Sequence, residues 1–165
     1  MKDCLVIVDV QNGFLSDKTC EVPDKILELL KKKKFNHIVG TKFVNVEGSP
    51  YTELMGWRGL MDDNSRQVNK IVVENCEKIF TKTIYSCFTK EFESYLKDNH
   101  IEKLFFLGID TDCCVLKSAT DCFERNIPFE VLINYCASNG GMESHNAAIR
   151  VMQRTIGEKT INSII

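Results

Sequence analysis

The stretch "FLGIDTDCCVLKSATDCF", residues 106–123, decides how the rest of the chain is read. An apolar run halts at Gly108, an acidic and hydroxyl cluster follows, and two adjacent cysteines, Cys113 and Cys114, open a predicted helix over about 112–126. The run that leads into it, "KLFFLGI" (103–109), is the strongest strand signal in the sequence, short and nearly all apolar, as a strand covered on both faces requires. A strand feeding a helix N-terminus is the repeating unit of an α/β protein.

The same unit recurs on either side. "CLVIVDV" (4–10) is a second continuous apolar run, and "DKILELLKKKK" (24–34) carries Ile26, Leu27, Leu29 and Leu30 at helical spacing behind Pro23. "HIVGTKFV" (37–44) reads as a strand. The polar stretch "NVEGSPYTELMGWRGLM" (45–61) is predicted to hold a short helix and to wall a pocket. "KIFTK" (78–82) is a weak strand and "KEFESYLKDN" (90–99) an amphipathic helix; "FEVLINYC" (129–136) and "ESHNAAIRVMQRTIG" (143–157) close the series as strand and helix. Strand alternates with helix throughout, with no internal repeat, low-complexity segment or linker. The expectation is one domain over residues 1–165, a three-layer α/β/α fold of Rossmann-like type with a mostly parallel central sheet.

Composition agrees with one core. A chain of 165 residues is long enough for a single substantial domain and short for two. Its 21 basic and 23 acidic side chains are interspersed and sum to a formal charge of −2, so neither nucleic acid nor an anionic membrane is an expected partner. The run "KKKK" (31–34) is read as the cationic end of a helix, where it complements the carbonyl dipole. Eight cysteines in a chain that opens directly into a core strand, with no signal peptide, are read as reduced thiols of a soluble, cytoplasmic protein. No apolar run approaches the roughly 20 residues that a membrane helix needs.

In open α/β sheets ligands bind beyond the carboxyl ends of the strands, and three candidate groups fall there. Asp9 ends the first apolar run, where partial desolvation suits a carboxylate to proton transfer, and Lys82 ends the weak strand. Cys113 and Cys114 occupy the first turn of the predicted helix, where unpaired N–H groups favour a thiolate and could hold an oxyanion. Helical arithmetic places Val115, Leu116, Ala119, Cys122 and Phe123 on the core-facing stripe and leaves open which cysteine reacts. Cys4, Cys122 and Cys136 are expected to be inert core thiols. Phe14, Trp57 and Phe88 are candidates for an apolar substrate wall, Arg58 for a carboxylate contact, and Asp110 for either a local backbone bond or a substrate amine. His37, His100 and His145 are far apart and no C-x-x-C occurs, so no zinc and no other cofactor is expected. A phosphoacceptor receiver, the competing α/β reading, needs an acidic cluster, whereas "VDVQ" supplies one carboxylate and "VGTKF" none.

The ordered set "VDVQNGF" (8–14), "TKTIYSCF" (81–88) and "GIDTDCCV" (108–115) resembles the three motifs of the isochorismatase-like cysteine hydrolases, which include nicotinamidases and N-carbamoylsarcosine amidohydrolases. The resemblance spans nearly the whole chain. It implies Asp9 as general base, Lys82 as cationic partner and Cys114 as nucleophile, with Cys113 a bystander. It implies a cis peptide between Ile109 and Asp110 and an oxyanion hole from the backbone N–H groups of Asp110 and Cys114. It further implies acyl transfer on a small-molecule substrate through a thioester, in a homodimer or larger homo-oligomer; the apolar ending "INSII" (161–165) exposes three isoleucines unless it packs on the sheet or on another subunit. Two departures narrow the reading. The Asp-x-His metal motif of the nicotinamidases has no counterpart, because the stretch from Gly40 to Ser65 contains no histidine. The eponymous isochorismatases lack the nucleophilic cysteine, so "GIDTDCCV" points to an amide or related C–N bond. A member of the same fold that is non-catalytic or redox-responsive, or that hydrolyses another small metabolite, is the alternative.

Overall fold

The computed structural model describes residues 1–162. Six strands, β1 (Asp3–Val8), β2 (His37–Phe43), β3 (Lys78–Lys82), β4 (Lys103–Ile109), β5 (Phe129–Ala137) and β6 (Ile161–Asn162), form one sheet in the order β3-β2-β1-β4-β5-β6. Every neighbouring pair is parallel. The chain builds outward from β1 to β3, then returns to place β4 on the other side of β1. That reversal puts a crevice at the carboxyl ends of β1 and β4.

Cys4 to Val8 and Leu104 to Leu107 are buried at every position, although successive side chains point to opposite faces of a strand. Both faces of the central strands are therefore covered by helices, which makes the expected three layers. The covering helices are amphipathic: α1 (Val22–Lys32) buries Val22, Ile26, Leu29 and Leu30, and α7 (Gly141–Ile156) buries Ala148, Met152 and Ile156 at intervals of one turn. Between β2 and β3 the single expected short helix is three, α2 (Pro50–Glu53), α3 (Asp63–Arg66) and α4 (Lys70–Asn75), each opened by a side-chain cap from Ser49, Asp62 or Asn69. Thr89 caps α5 (Lys90–Asp98) in the same way. The lysine run sits where α1 ends, with Lys33 Nζ 4.2 Å from the Phe105 ring centre, a packing role. Ile161 pairs in β6 and packs on the core, while Ser163 to Ile165 of the apolar ending lie outside the described residues. All eight cysteines are free.

The predicted helix after β4 differs in its first turn. Residues Thr111–Val115 form a π-helical turn, in which the Val115 N–H reaches back to Asp110 O at 3.2 Å, and α6 (Leu116–Glu124) follows. The longer hydrogen-bonded ring rotates the stripe from the phase that pure α periodicity gives. Thr111, Cys114, Val115, Ser118, Ala119 and Cys122 face inward, whereas Phe123, expected in the core, is half exposed.

Gly108 makes the crevice possible. It has φ +127°, and a Cβ there would lie 2.2 Å from the carbonyl oxygen of Val8. β4 can pass this close to β1 and then turn into the Ile109–Asp110 peptide, which is cis, only without a side chain at 108. Gly108→Ala is expected to cost about 2 kcal/mol or more in chemical denaturation. Gly48→Ala, at φ +76° with open space around it, is expected to cost about half as much. Equal costs at the two positions would remove the close approach of β1 and β4 as the reason for Gly108.

Candidate active site

The three strand-end groups converge. Asp9, with φ +49°, leaves β1 with its carboxylate fully buried; Lys82 ends β3, and Cys114 lies in the π turn after β4. Lys82 Nζ is 2.6 Å from Asp9 Oδ2 and 3.5 Å from Cys114 Sγ. It also donates to the carbonyls of Ile84 and Tyr85, both at 3.0 Å, because the loop after β3 wraps around the ammonium. The three ammonium protons thus have three oxygen acceptors. Thr41, from β2, donates to Asp9 Oδ1 at 2.6 Å and accepts from the Asp9 N–H at 3.1 Å, which fixes the carboxylate at both ends of the residue. Oδ2 accepts no hydrogen bond from the described residues beyond its contact with the ammonium and is the oxygen left for a proton.

Charge is distributed unevenly in this cluster. Burial alone would lower the Lys82 ammonium, but the Asp9 carboxylate and Cys114 outweigh it and hold the pKa above the usual lysine value. For Cys114, burial and the adjacent Asp9 carboxylate push the pKa well above the ordinary thiol value, with Lys82 opposing. This overturns the thiolate expected at a helix N-terminus. A helix dipole contributes roughly 0.3–1 kcal/mol, under one pKa unit, whereas full burial of an ionisable group can shift it by about 3–5 units. The resting state is therefore a neutral thiol beside an ion pair.

Above Cys114 opens a cavity of about 370 Å³. Phe14 stacks on Trp57 with ring centres 6.1 Å apart and an interplanar angle of 8°. Phe43 and Tyr85 each pack edge-on against Tyr51 at 5.0 Å, and Met55, Asp110, Cys113 and Asn139 complete the wall. Phe14 and Trp57 are thus at the site as expected. Arg58 and Phe88 are not among the lining residues. Arg58 follows Trp57 on the same loop but turns outward, exposed, to pair with Glu47. Phe88 is buried against Phe92 at 5.5 Å with the Arg125 guanidinium 4.5 Å from its ring, because it immediately precedes the cap of α5. Asp110 bonds not its local backbone but a distant loop: Oδ1 accepts from Asn139 N and Nδ2 at 2.8 and 2.9 Å, tying β4 to the loop after β5. Thr41, Phe43, Tyr51, Tyr85 and Asn139 were not singled out by sequence; the one signal for Thr41 was a hydroxyl within the apolar strand "HIVGTKF".

The metal site of the nicotinamidases does not fit this chain. His37 bonds Glu77 at 2.7 Å, His145 bonds Thr111 at 2.8 Å, and His100 borders a separate surface groove. Among the described residues no group of three or more His, Cys, Asp or Glu side chains could hold a metal ion.

The Isochorismatase domain profile matches residues 3–163. The chain belongs to the isochorismatase family. Isochorismatase family protein 1A of Dictyostelium discoideum is 32% identical over 131 residues, covering 73% of this chain and 62% of that protein. Isochorismatase family protein 1B of the same organism is 36% identical over 93 residues, covering 55% and 45%. The chain thus spans about half to three-fifths of the length of these relatives. Among solved structures, the nicotinamidase/pyrazinamidase of Bacillus subtilis superposes with a TM-score of 0.80 at 20% identity over 99% of this chain and 100% of that one. The N-carbamoylsarcosine amidase of Thermoplasma acidophilum does so with a TM-score of 0.80 at 21% identity over 100% and 99%. At such identities the likeness establishes the isochorismatase-family fold. No helix among the described residues is long and apolar enough to cross a membrane.

Two measurements check the electrostatics. Alkylation of Cys114 by iodoacetamide, followed by peptide mass spectrometry, is expected to accelerate with pH through pH 9 without levelling off; a plateau below pH 7 would mean a preformed thiolate. Lys82→Met leaves a buried carboxylate unpaired and is expected to cost about 3–5 kcal/mol, most of it regained in the Asp9→Asn/Lys82→Met double variant. Additive losses in urea denaturation would show that the two charges are not coupled.

Proposed function

We propose that this protein is a metal-independent cysteine hydrolase that cleaves the C–N bond of a small amide or carbamoyl compound. The observation that carries the reading is that Lys82 contacts both Asp9 and Cys114 at the floor of an aromatic cavity, with Asp9 Oδ2 bound by no group but that ammonium among the described residues. The family neighbours named as nicotinamidase and carbamoylsarcosine amidase add support for the reaction class.

In this mechanism the Cys114 thiol gives its proton to Asp9 as sulfur attacks the substrate carbonyl, forming a C–S bond and a tetrahedral oxyanion. The backbone N–H groups of Asp110 and Cys114 receive that oxygen. Asp9 then returns the proton to the leaving nitrogen, the C–N bond breaks and the amine departs. Water gives a proton to Asp9 and attacks the thioester; the C–S bond breaks, and the proton returns to sulfur. Lys82 holds Asp9 in place between these transfers and stabilises charge on sulfur. A neutral resting thiol suits this scheme, because base and nucleophile then act in one step. Assembly as a homo-oligomer and a cytoplasmic location belong to the same proposal and rest on the sequence resemblance.

Ammonia release from a panel of small amides, ureides and carbamoyl compounds, with chelator present, tests the reading. Wild type is expected to turn over at least one class, and Cys114→Ala to lose about 10³-fold or more in kcat/KM. Activity retained by Cys114→Ala, or abolished by chelator, would contradict it.

A further inference from the structure

The hydrolase reading leaves the substrate unnamed, but the cavity has a charge signature. Five aromatic rings, those of Phe14, Phe43, Tyr51, Trp57 and Tyr85, contribute to its wall. Among the described residues no lysine, arginine or histidine lines it. Lys82 is buried beneath Cys114 and the Phe43 ring, with its protons committed to Asp9, Ile84 and Tyr85, and the Lys18 ammonium is engaged by the Asn139 carbonyl at 3.1 Å. Arg58, the residue that could have met a substrate carboxylate, is turned outward and paired with Glu47. An anionic substrate would therefore meet no cationic side chain on the cavity wall itself.

Asp110 supplies the opposite. Its Oδ1 is fixed by both Asn139 donors, and no hydrogen bond among the described residues reaches Oδ2. The neighbouring Asp112, by contrast, is engaged by Ser138 at 2.5 Å. Burial raises the Asp110 carboxyl to about 6, with the Asn139 hydrogen bonds opposing, which still leaves it ionised at pH 8. Aromatic faces attract cations through their quadrupoles, and a carboxylate on the same wall adds a full negative charge. We propose that Asp110 is a specificity-determining residue and that the substrate is a small amide carrying a cationic group, such as a pyridinium or ammonium, at the end remote from the scissile carbonyl. This rests on the hydrolase reading above. Hydrolysis then converts a cationic amide and water into a zwitterionic carboxylate and an ammonium ion, which carries away the proton of the new acid. The new carboxylate faces Asp9 and Asp110, which favours release.

An isosteric series separates charge from shape: the 1-methylpyridinium-3-carboxamide cation, neutral 3-methylbenzamide and the 3-carbamoylbenzoate anion. Wild-type kcat/KM at pH 8 is expected to favour the cation over its neutral isostere by about tenfold or more, with the anion poorest. Asp110→Asn keeps the Oδ1 acceptor for Asn139 and is expected to reduce the cation-to-neutral ratio by about tenfold. Calorimetric binding of the three compounds to Cys114→Ala, with and without Asp110→Asn, measures the same preference without turnover. Hydrolysis of the series with no preference for the cation would overturn this inference and leave the hydrolase reading standing. Asp110-dependent binding of the cation with no hydrolysis of any of the three would keep the inference and count against the hydrolase reading. Equal binding of cation and neutral isostere would overturn the inference whatever the kinetics.

Discussion

A lysine ammonium and an aspartate carboxylate, 1% and 0% exposed, face each other across 2.6 Å at the carboxyl ends of two strands of one sheet. Taking two charges out of water costs several kcal/mol for each ion, and the pair survives only because its remaining donors and acceptors are met. Thr41 holds one oxygen of Asp9, and two carbonyls of the loop after β3 hold Lys82. β1, β2 and β3 each contribute one partner, so the order β3-β2-β1 is as much a requirement of the ion pair as of the core. β4 then delivers Cys114 from the other side of β1, across the close approach that Gly108 permits.

The pair also decides how the sulfur behaves. A helix N-terminus by itself would favour a thiolate, but burial beside a carboxylate outweighs it and keeps the proton on sulfur. In the proposed mechanism such a thiol loses its proton only as it attacks a carbonyl. Cys113, one residue earlier, is only half-buried and lines the cavity without touching the ion pair.

Much of this was legible in the residues. The apolar runs "CLVIVDV" and "KLFFLGI" identified the two central strands because burial on both faces leaves no room for polar alternation. Asp9, Lys82 and Cys114 stood at strand ends, and topology alone brings such ends together. The choice between Cys113 and Cys114 was not legible from periodicity. A π-helical turn breaks the α phase there, and the same rotation turned Phe123 outward against expectation. The cavity wall was harder still. Trp57 and Arg58 are adjacent, yet one faces the site and the other solvent, a difference set by a single turn of a loop. Tyr51 reaches the site from α2 and Tyr85 from the loop after β3, and only the folded sheet places them edge to edge.

The most direct test of the central claim is intact-protein mass spectrometry after rapid mixing with 4-nitrophenyl acetate and acid quench, with the acylated peptide sequenced. The account predicts an acetyl adduct on Cys114 that forms quickly in wild type and far more slowly in Asp9→Asn. An adduct on Cys113 or elsewhere, or one on Cys114 that forms at the wild-type rate without Asp9, would contradict it.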